Sequence, residues 1–142
     1  MTRAEDIEQI VVAAHALTRL AAAQTRNEAP SAQWRALSVL CSEGPQRIGE
    51  LARLARITQP GMTRLVTQLE ELGLVVKTAD AADSRASLVA ATPAGESALA
   101  AWRVQLRAAL EPLFDGLDDE DWAVLARAAG ILSSRTAAAV LR

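Results

Sequence analysis

The 142-residue sequence contains no tyrosine, one phenylalanine, one histidine and one cysteine. A single cysteine excludes an internal disulfide, and this points to a cytoplasmic chain. His15 has no second histidine and only Cys41 as a soft companion, so no metal site is expected. No Gly-rich phosphate loop, no nucleophile elbow and no His/Cys/acid constellation is present. The reading is therefore a protein without enzymatic activity and without a cofactor. Half of the residues are hydrophobic (51%), yet no run approaches the length of a membrane span. Met1-Thr2-Arg3 leads straight into an acidic amphipathic stretch, and no signal peptide is read.

A chain of this length reads as one domain, large enough for a real core. Its formal charge is −2, unevenly spread. Residues 1–30 carry −1, residues 31–91 carry +1 and residues 92–142 carry −2. The central segment is the only positive one, so non-specific affinity for nucleic acid should be modest and salt-sensitive.

That segment holds the richest pattern. Ile48, Leu51, Ala52 and Ala55 repeat at helical spacing and predict a short helix over 48–55. Arg56, Ile57 and Thr58 fit the turn between two steeply angled helices. A second helix follows to about Leu72, capped by Thr58 or Gln59, with Pro60 in its first turn. Met62, Leu65, Val66 and Leu69 form its buried stripe. Gly73 is its C-terminal stop, and Leu74 can pack back on Leu69. The other face carries Gln59, Thr63, Arg64, Thr67 and Gln68, while the acids Glu70 and Glu71 stand at the rear. Such a helix can enter a major groove by its N-terminal end, where the dipole is positive. Gln pairs with adenine, Arg with guanine, and a Thr methyl meets a thymine methyl. The same pattern also describes an ordinary amphipathic helix with a solvated polar face.

Leu74–Thr78 and Ala86–Ala91 then read as a hairpin, with Ala79–Ser84 as its tip. Arg85 stands at the base of that tip, suited to a narrow minor groove. Asp83, two residues earlier, can orient its guanidinium. Arg47 and Lys77 complete the candidate DNA contacts.

The order of these pieces resembles the MarR family of bacterial transcription regulators. The matching residues are Gln33-Trp34-Arg35-Ala36-Leu37, Ile48-Gly49-Glu50-Leu51-Ala52, Thr63-Arg64-Leu65-Val66 and Leu69 to Val75. Asp83-Ser84-Arg85 matches the D-x-R of the family's wing, and Thr92-Pro93-Ala94-Gly95 its following helix start. The resemblance is close over about Ala29–Leu99. It implies a mainly α fold with a small β-hairpin wing: a winged helix-turn-helix over 31–91, with dimerisation helices over 1–30 and 92–142. It also implies a homodimer on a palindromic operator in double-stranded DNA, acting as a repressor. A small aromatic or anionic ligand would bind between the dimer helices and the winged region. His15, Trp34 and Trp102 are the candidates to line that cleft. The alternative is a winged-helix dimer that acts as a protein-interaction module without DNA. In this chain the wing tip is rich in alanine, and only Lys77 and Arg85 are basic there.

The flanks read as helices. Ile7, Ile10, Val11, Ala14, Leu17 and Ala21 form a stripe over about residues 4–25, widened by Val12 and Leu20. Asn27–Pro30 is a connector, and Ser31 can cap the next helix, which ends at Gly44-Pro45. Trp34, Leu37 and Leu40, with Cys41, mark that helix's buried side. No basic neighbour in sequence would activate Cys41, and a free cysteine usually packs as a small hydrophobe. Thr92 caps a long helix with Pro93 at its start, and Pro112 should kink or shorten its end. Asp118–Asp121 reads as a helix start rather than a metal cluster. Trp122, Leu125, Ala126, Ala129, Leu132, Thr136 and Val140 continue a stripe toward the C-terminus. The two flanks have more apolar face than one small winged domain can cover, which is the residue-level argument for a dimer.

Overall fold

The computed structural model of the chain describes residues 1–25 and 31–140. The connector expected at Asn27–Pro30 lies outside the described residues, as does the side chain of Val140. The chain divides into two compact units, Met1–Ala109 and Leu110–Arg142.

The first unit runs α1 (Arg3–Gln24), α2 (Ser31–Glu43), β1 (Gln46–Arg47), α3 (Ile48–Ala55), α4 (Gln59–Glu71), β2 (Val75–Asp80), β3 (Asp83–Ala91) and most of α5 (Pro93–Leu110). The strands form an antiparallel sheet in the order β1-β3-β2. Thr2 starts α1 with a capping box: its Oγ1 accepts from Glu5 N–H, and Glu5 accepts from Thr2 N–H. No helix among the described residues is long and apolar enough to cross a membrane.

One core organises this unit. Leu37 of α2, Leu51 of α3, Met62, Val66 and Leu69 of α4 and Val89 of β3 are all fully buried in it. Each large aliphatic side chain buried this way contributes roughly 1.5–3 kcal/mol. The stripes expected on α3 and α4 are the buried ones, apart from Ile48, which is half-buried at the core's edge. The exit of α4 has the expected form. Gly73 takes φ +72°, its N–H donates to Glu70 O, and Leu74 N–H donates to Leu69 O at 2.9 Å. These are the two bonds of a Schellman end, and they turn the chain into the hairpin.

Several expectations need correcting. The strand β1 was not foreseen; two residues carry too little pattern to be read as a strand. The hairpin is longer than expected, with β2 reaching Asp80 and β3 starting at Asp83, so only Ala81 and Ala82 turn. Cys41 is exposed. The buried stripe of α2 is Gln33, Ala36, Leu37 and Leu40, and one residue beyond Leu40 the helix has rotated by about 100°. Ser31 is the first residue of α2. In α1 the expected stripe is largely solvent-facing in the single chain, and of its residues only Ala21 is buried.

The second unit holds a 3₁₀ turn at Glu111–Phe114, with Pro112 as its second residue, and α6 (Asp119–Val140). The preceding helix stops at Leu110, the shortened end expected from Pro112, whose ring and missing N–H cannot continue the ladder. Asp118 Oδ1 accepts Asp121 N–H at 2.9 Å, so the acidic run starts a helix. Among the described residues no group of three potential metal ligands comes together. Phe114 and Trp122 pack at 5.9 Å between ring centroids.

Candidate nucleic-acid interface and ligand cavity

Helix α4 is seated by its own first turn. Thr58 has extended backbone, and its Oγ1 accepts Gly61 N–H at 3.2 Å. A Cβ at Gly61 would stand 2.9 Å from that oxygen, so the cap needs glycine there. Thr58→Ala should lower stability by about 1 kcal/mol, read as a lower denaturant midpoint at unchanged m-value; an unchanged midpoint would mean that the cap does not stabilise α4. Just before it, Arg56 takes the left-handed conformation with φ 55°. Its N–H donates back to α3 carbonyls and closes the turn.

The four apolar residues of α4 face the core, so Gln59, Thr63, Arg64, Thr67 and Gln68 all lie exposed on one outer face. Thr63 Oγ1 donates to Gln59 O and Thr67 Oγ1 to Thr63 O. With these donors engaged, each threonine retains an acceptor lone pair and its methyl for a ligand. Gln59 lies over Gly49 of α3, whose Cβ position is 3.6 Å from Oε1. Gly49 therefore leaves room for that amide.

Three cations of the winged region are held in ion pairs. Lys77 Nζ meets Glu70 at 3.3 Å, Arg53 pairs with Glu50, and Arg47 pairs with Asp80 at 2.7 Å. The backbone N–H of Ala82, then the Arg47 guanidinium, hold the Asp80 carboxyl below its ordinary range. Asp83 does not orient the Arg85 guanidinium as expected. Its Oδ1 instead accepts the Arg85 backbone N–H at 3.0 Å, because the tight turn brings that amide closest. Arg85 is exposed and makes no ion pair among the described residues.

A cavity of about 730 Å³ is lined by His15, Trp34 and Trp102 together with Arg35, Ser38 and Arg56. Trp34 and Trp102 stack with centroids 5.3 Å apart and planes 13° apart. Trp34 Nε1 is buried without a hydrogen-bond partner. The three residues singled out in the sequence thus line one cavity, and Arg35 and Arg56 were missed. Arg35, adjacent to Trp34 in sequence, was the available signal. For Arg56 there was none, since its position depends on the α3–α4 turn. Cys41 is elsewhere; although the residue is exposed, partial desolvation and then Glu96 push its thiol up, against the pull of Arg103. That shift disfavours the reactive thiolate.

The buried stripes, the helix–turn–helix of α3 and α4 and the β2–β3 hairpin define a winged helix-turn-helix protein. A family model described as MarR family matches residues 29–86, and the chain belongs to that family. The regulator FarR of Neisseria gonorrhoeae, an HTH-type transcriptional regulator, is 36% identical over 64 residues. That match covers 45% of this chain and 44% of FarR, so the chain spans less than half of this curated relative. A probable transcriptional regulator from Pseudomonas aeruginosa is 30% identical, with 87% of this chain and 92% of that chain covered and a TM-score of 0.57. NadR, solved in complex with 4-hydroxyphenylacetate, is 25% identical, with 87% and 89% covered and a TM-score of 0.60. The family is one of transcriptional regulators, not of enzymes.

Proposed function

We propose that this protein is a homodimeric, sequence-specific DNA-binding regulator that represses transcription until a small ligand releases it. The observation that carries this reading is the outer face of α4. Five polar side chains, Gln59 to Gln68, are exposed there together, with no acid before Glu70. The helix enters the major groove by its Thr58 end, and Arg85 of the wing reaches the adjacent minor groove.

The terminal helices support a dimer. In α1, Ile7, Val11 and Val12 are 65%, 48% and 60% exposed, and in α6, Val124 and Ile131 are 62% and 51% exposed. Apolar area of this kind is costly to leave in water. A two-fold partner covers it and presents two recognition helices to half-sites about 34 Å apart. Light scattering at micromolar protein should give twice the 15.1 kDa chain mass; a monomer mass would sink the dimer.

The test of DNA binding is selection from genomic fragments with the purified full chain at near-physiological salt. Enrichment of a palindrome supports the reading. A folded dimer that enriches nothing moves the assignment to a protein-interaction module, which the few unpaired cations of the wing would suit.

The cavity supports ligand response. Stacked indoles provide an apolar wall, and Arg35 and Arg56 provide cations for an anion, so the ligand class is a small aromatic acid. Arg56 also forms the turn ahead of α4, so occupancy there can bias the angle of the recognition helix. Titration with 4-hydroxyphenylacetate, the ligand solved with NadR, and related aromatic acids should quench tryptophan emission. Trp34→Phe should remove most of that response. Emission unmoved across the series would remove the ligand site.

A further inference from the structure

The wing of this chain turns on Ala81 and Ala82. Two-residue hairpin turns normally use Asn or Gly, because the twist-matched turns need positive φ. Neither alanine has a positive φ; the only non-glycine residue that does among the described residues is Arg56. The register also slips by a bulge between Ala79 and Asp80. By its own backbone chemistry this tip is poorly specified.

One carboxylate compensates. Asp80 Oδ1 accepts Ala82 N–H at 2.9 Å and so fastens the turn. Its Oδ2 accepts from Arg47 Nε at 2.9 Å and Nη2 at 2.7 Å. Arg47 lies on β1, 33 residues earlier in sequence, at the residue before α3. It pairs with Leu88 of β3, which pairs in turn with Thr78 of β2. The Arg47 side chain therefore reaches from one edge strand to the other. The Asp80 side chain is only 13% exposed, whereas that of Arg47 is 50% exposed. Both oxygens of this largely covered carboxylate are used, one on the turn and one on the strand that leads into the helix-turn-helix.

We infer that Asp80 and Arg47 form a clasp that fixes the wing tip relative to α3 and α4, making Arg47 a positioning residue rather than a phosphate contact. This rests on the DNA-binding reading. The two roles predict opposite signs. Simple electrostatics says that removing Asp80, an acid beside the phosphates, tightens DNA binding. The clasp says that it weakens binding, because Arg85 is no longer held in place and its ordering is left to the binding step.

The test measures affinity of the full chain for a labelled duplex of the selected sequence at several salt concentrations. Asp80→Ala, Arg47→Ala and the double variant are compared with wild type. Each single variant should bind about tenfold more weakly, and the double no more weakly than either single. The salt slope should stay that of wild type, since no phosphate contact is lost. In the free protein, amide exchange at Ala82 should quicken at least tenfold in Asp80→Ala. Asp80→Asn, which keeps an acceptor for Ala82 and loses the ion pair, should restore the exchange rate but not the affinity. An Asp80→Ala protein that binds as well as wild type or better overturns the clasp. So does an Arg47→Ala protein whose salt slope falls by about one and whose loss adds to that of Asp80→Ala. If wild type selects no duplex, the DNA-binding reading falls and the positioning role falls with it.

Discussion

Arg85→Ala should lower affinity for the selected duplex about thirtyfold, a loss of about 2 kcal/mol, and reduce the salt slope by about one. The size follows from the wing hairpin itself, where of the two cations Lys77 and Arg85 only Arg85 makes no ion pair among the described residues. Lys77, Arg53 and Arg47 are each held by an acid of the same chain. Arg85 stands exposed on the wing, and Asp83 engages only its backbone N–H. A narrow minor groove focuses negative potential on a guanidinium placed there. Arg85→Lys should recover the salt slope but only part of the affinity, since the ammonium keeps the charge and loses the planar fork. Equal affinities for wild type and Arg85→Ala would remove the wing from the interface.

The second large effect concerns the joint between the wing region and α5. Gly95→Ala should lower stability by about 3 kcal/mol, seen as a fall in thermal midpoint of roughly 10 °C. A Cβ on Gly95 would stand 2.1 Å from Leu74 O, 3.1 Å from Leu74 C and 3.4 Å from Leu37 Cδ2. The first two atoms are backbone and cannot swing aside. Leu74 O is also the acceptor for Thr92 N–H at 3.0 Å. Thr92 Oγ1 donates to Gly73 O at 2.6 Å and accepts Gly95 N–H at 3.1 Å. The start of α5 is therefore bonded directly to the end of α4. Any shift that admits the methyl must loosen these bonds, and the DNA affinity should fall as well. A midpoint within two degrees of wild type, by the same scaling, would show that the joint has slack.

The Thr92 cap was readable from the order Thr-Pro-Ala-Gly, but the need for glycine at 95 was not. The cap is decided within three residues, whereas the clash comes from Leu74, far away in sequence. The same division holds throughout. The limits of α3 and α4, the stripe Met62–Leu69 and the Gly73 stop depend on hydrogen bonds and side-chain spacing within one or two helical turns. Those were legible, and with them the face that carries Gln59 to Gln68. The grouping of His15, Trp34 and Trp102 was anticipated only through the family resemblance.

What the sequence by itself determined, then, is the helices α3 and α4 with their apolar sides and the Thr58 and Thr92 caps, because these are settled by neighbours along the chain. Tertiary structure alone decided the pairing of β1 with β3 and the ion pair from Arg47 to Asp80. It also decided the turn's confinement to Ala81–Ala82, the entry of Arg35 and Arg56 into the cavity wall, and the engagement of Asp83 by a backbone amide rather than a guanidinium. Each of these depends on which distant segments the common core brings within hydrogen-bonding reach, and residue spacing along one element carries no record of that.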